Sequence, residues 1–502
     1  MLSSISSSFL ANDPYELLIS QMIRIESQPK FALEDRKKEQ STFKDVLGDF
    51  DSTLSTLHSL LDTFTDQFSN PFEGRAVSSG ESDAFNISAT DKAAYGTHSL
   101  TVQRLASTDT RISKQFTSSG NELVNFFSTN GSQTFSVEVA SPTDADPNNR
   151  VSISVTVNPT GTTDEDIIKE ISIAIDDAMD AAVTAGTIKN TEKASASVIN
   201  ETSTTARLSL RSGETGYAKR VDFTDSANGL LALMEVNSAV IATGTSGGQV
   251  TKVGTGETDS DLNSKFLLDG LTIYRSSNQV TDALEGVTLS LKQTTTTASD
   301  FIVEPDSEGI KTQVESFISA YNDILTFIEA KSQVDGDTGF RGPFAGDSTL
   351  TGLRFDMRND IATEVTGQPA DAPSYLTDLG ITIGDDGTLT LSDADALIAE
   401  VEDDPGAVQS LFSSTDGIAT RLTNRLDRFL GIDGIIDNRQ DVIDDRINRL
   451  DDQIARWDDL MEIRENQLRQ QFARLQEAVA IFQGQQQTIN SFFFGGGGFG
   501  VF

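Results

Sequence analysis

Residues 43–71 read FKDVLGDFDSTLSTLHSLLDTFTDQFSNP. Within them Phe43, Leu47, Phe50, Leu54, Leu57, Leu61, Phe64 and Phe68 follow at intervals of 4, 3, 4, 3, 4, 3 and 4. That spacing puts every apolar side chain on one face of an α-helix, the seam of a coiled coil, and Asn70-Pro71 closes it. At about 1.5 Å per residue the helix is ~39 Å long. One apolar stripe does not hold a helix in water, because burying it needs a surface to bury it against. The chain must therefore supply a partner, and candidates lie far downstream. Ile310, Val314, Phe317, Tyr321, Ile324 and Ile328 repeat the spacing, and Leu422, Leu426 and Phe429 make a shorter stripe. Ile443, Ile447, Leu450, Ile454, Trp457, Met461 and Leu468 form another, continued with a slight phase shift by Phe472, Leu475, Val479 and Phe482. This last stripe belongs to a helix expected over residues 435–487. The economical arrangement is a bundle of helices from both chain ends, with the middle inserted.

The amino terminus is helical too. Asp13, Pro14 and Glu16 make a helix start, Leu18, Met22 and Ile25 share a face, and Gln28-Pro29 predicts a break. The middle alternates instead, in residues 99–105, 135–139, 151–157, 206–210 and 287–291, with turns at Asn130-Gly131, Asn158-Pro159 and Asp269-Gly270. One helix is expected there, over 164–185, with Ile168, Ile171, Ile175 and Met179 inward. Residues 243–257, rich in Gly and Thr, read as a loop between two head domains, and residues 379–391 as a hairpin turning at Asp385-Asp386-Gly387.

The expected fold class is α+β multidomain, a helical coiled-coil stalk from both chain ends with an inserted β-rich head of two domains. The boundaries read as a leg segment at 1–40, a stalk helix at 41–72, and one head domain from 73–140 with 255–305. A second head domain follows at 141–254, a stalk domain with helices and a β-hairpin at 306–432, a coiled-coil leg at 433–490, and a Gly/Phe tail at 491–502. The terminal stripes have no obvious partner within one chain, so ordering on assembly is expected of them.

Composition narrows the function. A net charge of −38 argues against nucleic acid and against anionic membrane surfaces, both of which need clustered Lys and Arg. The absence of cysteine excludes disulfides, thiolate zinc sites and cysteine nucleophiles. No run approaches the ~18 apolar residues of a membrane span. Residues 1–14 carry no basic residue and no apolar segment, so no cleavable secretory signal is expected.

Motifs that mimic chemistry fail on context. Gly244-Thr245-Ser246-Gly247-Gly248 spells a nucleophile elbow, yet no helical pattern follows and both histidines, His58 and His98, precede it. Asp335, Asp337, Gly339 and Asp347 resemble a calcium loop, but Phe340 and Gly346 stand where Gly and Glu are required. Asp403-Asp404 and Asp444-Asp445 read as solvated acids, and Trp457 as a packing residue. No catalytic, cofactor or metal residue is expected.

Residues 17–29 (LLISQMIRIESQP) resemble the amino-terminal signature of the flagellar hook-associated protein 2 family, the filament-capping proteins. Residues 194–200 (ASASVIN) with 206–216 (ARLSLRSGETG) look like the motif shared by flagellin and hook-associated proteins. Residues 266–273 (FLLDGLTI), 278–289 (NQVTDALEGVTL), 376–391, 404–412 and 417–419 are similar to the family's later segments, in order. The tail from Ser491 is not a familiar family ending. The resemblance implies a non-enzymatic cap at the distal, extracellular tip of the flagellum, exported by the flagellar type III route. It implies a homo-oligomeric ring, a pentamer, with flagellin, the hook-associated junction protein and a cytoplasmic export chaperone as partners. Retention of exported flagellin and its polymerisation would be the task. Assembly would then rest on Leu18, Met22 and Ile25, and on Ile447, Leu450, Ile454, Trp457, Met461, Leu468, Phe472, Leu475, Val479 and Phe482. The alternatives are another axial protein, flagellin or junction protein, and an adhesin at the tip.

Overall fold

The computed structural model describes residues 14–494 apart from Gln67, Ser69, Glu81 and Ser82. The expected cap at Asp13 and the tail beyond Phe494 lie outside the described residues. The chain divides into two compact units, one from Met1–Phe72 with Ile310–Phe502, the other Glu73–Gly309.

The chain opens with α1 (Pro14–Glu26) and α2 (Gln28–Thr65). Ser27 separates them, its hydroxyl turned back to the Ile23 carbonyl at 2.7 Å, and Pro29 sits in the first turn of α2, where no N–H is needed. α2 runs unbroken through residues 40 and 41, so the expected boundary there is absent. Leu47, Phe50, Leu54, Leu57, Leu61 and Phe64 are fully buried. Phe68 departs from the expected seam and is 90% exposed. The helix has ended at Thr65, because the buried Asn70 side chain takes the Phe64 carbonyl at 2.7 Å and turns the chain.

The second unit holds β1 (Arg75–Ser79), β2 (Phe85–Ala89), β3 (Gly96–Arg104), β4 (Thr108–Ile112) and β5 (Phe116–Thr117). Then come α3 (Glu122–Asn130), β6 (Gln133–Ala140), β7 (Arg150–Val157), α4 (Asp164–Thr184), β8 (Ser195–Thr202) and β9 (Thr205–Thr215). β10 (Asp222–Thr224), α5 (Leu230–Met234), β11 (Gly248–Gln249), β12 (Ser264–Leu268) and β13 (Leu271–Arg275) follow, then β14 (Gln279–Leu284), β15 (Val287–Leu291) and β16 (Ser299–Pro305). Two cores form. Around Phe85, Val102, Phe266, Leu289 and Phe301 pack an antiparallel sheet in the order β1-β16-β3-β12-β13 and a three-stranded sheet β14-β15-β2. Around α4, whose Ile168, Ile171, Ile175 and Met179 are buried as the periodicity predicts, pack β10-β6-β7 and β11-β4-β9-β5, with β8 on β9.

The division between these cores corrects the expected boundary at 140. β4, β5, α3 and β6 belong to the second core, which takes up the chain just after β3. Alternation identifies a strand but not its sheet, and β4 pairs with β9, about a hundred residues downstream. The expected loop at 243–257 likewise contains β11, which pairs with Arg111 and Ile112 of β4. Under this sheet lies a buried ion pair: Arg111 Nε donates to Asp109 Oδ1 at 2.7 Å, and Asp109 Oδ2 accepts from the Val221 N–H at 2.9 Å.

The first unit resumes with α6 (Ser307–Ser332), α7 (Ser348–Ala362), β17 (Ile381–Ile383), β18 (Leu389–Leu391), α8 (Ala394–Asp403), α9 (Pro405–Ser413), α10 (Ile418–Leu426) and α11 (Ile435–Phe494). The stripe of α6 lies against that of α2 in one core with α7, α10 and the start of α11. Its centre is aromatic, with Phe412 5.4 Å from Phe64, 5.2 Å from Phe72 and 5.8 Å from Phe317 between ring centroids. β17 and β18 form the expected hairpin. The acids expected to be solvated do local work: Asp404 caps α9, and Asp444 pairs with Lys44. Asp416 accepts from Arg421, from the Thr366 N–H and from its hydroxyl, and these donors, Arg421 first, hold its carboxyl well below the usual carboxylate range.

Two outcomes follow from these buried and bridged acids. Asp109→Ala strands the Arg111 charge in the sheet interface and should cost the second unit ~3–5 kcal/mol, read from urea unfolding. Because the folded-state pKa of Asp416 lies below its unfolded value of about 3.9, its contribution is complete above that value and is lost as pH falls through the folded one. Asp416→Asn should therefore be less stable near neutrality and lose less on acidification, a difference that urea midpoints followed between about pH 7 and about pH 2 would reveal.

Candidate assembly interface

The expected assembly residues lie on α1 and α11, which run antiparallel within the first unit. Their register is written in charge. Lys44 reaches Asp444 at 2.6 Å, Lys37 reaches Asp451 at 2.5 Å, and Lys30 reaches Asp458. The lysines step by seven along α2 and the aspartates step back by seven along α11, so one flank of the hairpin carries a ladder at heptad spacing. Past the break at Ser27 the polarity reverses. Glu26 of α1 takes Arg464 at 2.9 Å, and Glu16 takes Arg469 at 3.0 Å. Sliding α11 by one heptad would keep lysines opposite acids but would strand both glutamates, so the reversal fixes the alignment. Each pair is partly exposed and individually weak; together they choose a register. The ladder is visible in the sequence as lysines at 30, 37 and 44 and aspartates at 444, 451 and 458, a signal that an apolar pattern search passes over.

The apolar stripes therefore meet within one chain, against the expectation that they lack a partner. Ile443 is buried in the core, Ile447 packs on its edge, and Leu450, Ile454 and Trp457 are half-buried along the hairpin. Met461 and Leu468 are buried, and Phe472 lies 5.4 Å from Tyr15 between ring centroids. On α1 Ile19 is buried and Tyr15, Met22 and Ile23 are partly covered; Leu18 is exposed and Ile25 is 70% exposed. That corrects the expected face by one residue. α1 is apolar around much of its circumference, and the Glu16 and Glu26 pairs decide which side turns inward. Leu475, Val479 and Phe482 are exposed, Phe482 at 73%.

The other motifs stay local. Ser246 closes a turn onto the Thr243 carbonyl at 2.8 Å, while His98 is paired with Asp269 and His58 with Asp62 and Asp427. Asp335 makes a turn with Asp337 and Thr338, and Asp347 caps α7 and binds Arg439. Among the described residues no group of three or more His, Asp or Glu is placed to hold a metal ion, and no helix is long and apolar enough to cross a membrane.

The ladder is testable by exchange. Lys37→Glu should lower the melting midpoint of the helical unit, and adding Asp451→Lys should recover it. The double-mutant cycle should give a coupling of ~0.2–1 kcal/mol, and additive effects would mean that the pair does not form.

The flagellar hook-associated protein 2 N-terminus model matches residues 14–109, and the flagellar hook-associated protein 2 C-terminus model matches residues 262–484. Together they take in well over half the chain and leave out the span holding nearly all of the second β-rich core. The Polar flagellar hook-associated protein 2 of Vibrio parahaemolyticus is 32% identical over 243 residues, 48% of this chain and 36% of that relative. The B-type flagellar hook-associated protein 2 of Pseudomonas aeruginosa is 27% identical over 445 residues, 85% of this chain and 84% of the relative. The chain thus spans about a third of the first relative and most of the second. In fold it is similar to the D1-D2-D3 domains of the flagellar cap protein FliD from Escherichia coli, at 21% identity and a TM-score of 0.54, covering 79% of this chain and 99% of that one. With both terminal regions matched and the fold shared, the chain belongs to the flagellar hook-associated protein 2 family.

Proposed function

We propose that this chain caps the flagellar filament. Copies assemble at the distal tip as a ring, a pentamer in our reading, retain flagellin exported through the filament and promote its polymerisation. The observation that carries this reading is the open end of the helical hairpin. The stretch of α11 past Phe472, with the outward side of α1, presents Leu18, Ile25, Leu475, Val479 and Phe482 to solvent. An amphipathic helix end with exposed apolar side chains suits a leg that completes its packing on neighbouring helices. The half-buried residues from Ile447 to Trp457 hold the leg together, and the exposed ones meet flagellin and the hook-associated junction protein. The exposed end of α11 also suits an export chaperone that covers it in the cytoplasm. The β-rich unit supplies the body of the plate. Location at the extracellular tip and export by the flagellar type III route follow from that role.

Deleting the gene from its own bacterium should leave filaments short or absent, with unpolymerised flagellin in the medium, and the intact gene should restore both. Leu18→Asp or Phe482→Asp should fail to restore filaments while the β-rich unit stays folded by circular dichroism. Normal filaments in the deletion strain would overturn the capping reading, and full rescue by both variants would overturn the role of the leg surface.

A further inference from the structure

The motif of residues 194–200 and 206–216 ends at the junction of the two β-rich cores. Its two parts are the strands β8 and β9 of one hairpin, paired from Ser195 with Arg211 to Thr202 with Thr205. β9 runs between β8 on one edge and β4 with β5 on the other, and its Leu208 and Leu210 are buried in the second core. Towards its end the strand bulges: Thr110 faces Arg211, but Thr108 faces Thr215. Gly213 lies in this bulge, where a Cβ would stand 2.7 Å from the Lys193 carbonyl oxygen and 2.9 Å from that of Thr191. Gly216 follows at φ +96°, in the left-handed region, and a Cβ there would overlap Ser276. Ser276 belongs to the first core, in the turn between β13 and β14.

Connectivity alone gives the second core two links to the first, one leaving β3 and one entering β12. They lie side by side, the Ser107 N–H donating to the Leu262 carbonyl at 2.9 Å. Two adjacent links define an axis, and the apolar cluster that could oppose turning about it is small, made of Tyr217, Val253 and Leu262. Motion between the cores would be the ordinary expectation. The end of β9 adds a third tie that the chain path does not require. Thr215 Oγ1 donates to the Ser276 carbonyl at 2.7 Å, and the Gly216 N–H donates to the Ser107 carbonyl at 2.9 Å. The Tyr217 N–H donates to Asn263 Oδ1 at 2.8 Å, which also accepts from Ser276 Oγ at 3.3 Å. In the same turn as Ser276, the Asn278 side chain holds the outgoing link by both backbone groups of Ala106, at 2.7 and 3.0 Å. We infer that the motif is a latch: the end of β9, with Gly216 seated on Ser276, locks the two β-rich cores into one rigid body. This role of the motif stands whether or not the chain caps a filament.

The chain has no cysteine, so spin labels attach only where cysteine is introduced. Ser88→Cys on β2 and Ser154→Cys on β7 put one label at an exposed site of each core. The labelled full chain is diluted with unlabelled copies so that only distances within one copy are read. Double electron–electron resonance should then give a single narrow distance. Gly216→Ala should turn it into a broad distribution while circular dichroism keeps the folded signal. Gly186→Ala is the matched control. It also forces a side chain into the left-handed region, at φ +70°, but a Cβ there meets nothing within 4 Å, and the distance should stay narrow. Thr215→Val removes the hydroxyl bond to Ser276 without backbone strain and should broaden the distance part of the way. That variant decides the matter if Gly216→Ala loses its folded signal. Four results would each overturn the latch: a broad distribution in the parent, a narrow one in folded Gly216→Ala, equal broadening by Gly186→Ala, or, where Gly216→Ala unfolds, a narrow one in Thr215→Val.

Discussion

The contact on which the rest depends is the antiparallel pairing of α2 with α11. An amphipathic helix of this length has no stable existence alone, and its partner lies about four hundred residues away along the chain. Closing so long a loop costs only slightly more than closing a short one, because the entropic term grows with the logarithm of length. A whole folded unit can therefore be inserted in the loop, between Phe72 and Ile310, at little extra entropic cost to the helical core. The stalk core fixes the ends, and the insertion is free to differ. The family models draw the line inside the insertion: they match the helical ends and the first β-rich core and pass over the second.

Local pattern carried much of this into view. The stripes of α2 and α6, the buried face of α4 and the hairpin of β17 and β18 are each set by residues within a few turns or one tight bend, so periodicity finds them. Three failures have causes that carry no period. Phe68 continues the 4, 3 spacing perfectly, but Asn70 ends the helix by taking a carbonyl, and a hydrogen bond has no period. Leu18 and Ile19 are equally plausible on α1, and arginines more than four hundred residues away decide between them. β4 alternates as a strand should, but its sheet is fixed by β9. What was not legible was a single local hydrogen bond at Asn70 and, for α1 and β4, the distant partner.

The aspartates show how charge is spent inside such a fold. Asp164 receives the N–H groups of Glu122 and Leu123 at the start of α3, and Asp225 receives those of Leu231 and Ala232 in α5. Asp347, Asp393 and Asp404 cap α7, α8 and α9. A short acid placed at a helix start satisfies backbone donors that the helix itself cannot, and the positive end of the helix dipole favours the charge. Part of the negative charge is therefore the by-product of building short helices and turns from Asp.

α11 combines these themes in one element. Its apolar seam faces α1 and α2, one flank carries the ladder, and past Phe472 its Leu475, Val479 and Phe482 are exposed. A helix needed only to close the stalk core could stop near Ile447, where its last contact with that core is made. It continues for more than forty residues, and over the first twenty of them ion pairs about a heptad apart tie it to α2 and α1. A seam aligned by charge over that distance stiffens the helix well beyond what its own core requires. That stiffness has a physical consequence: the paired part of α11, up to Arg469, is ordered before any further contact is made, so a contact along it would have little left to order.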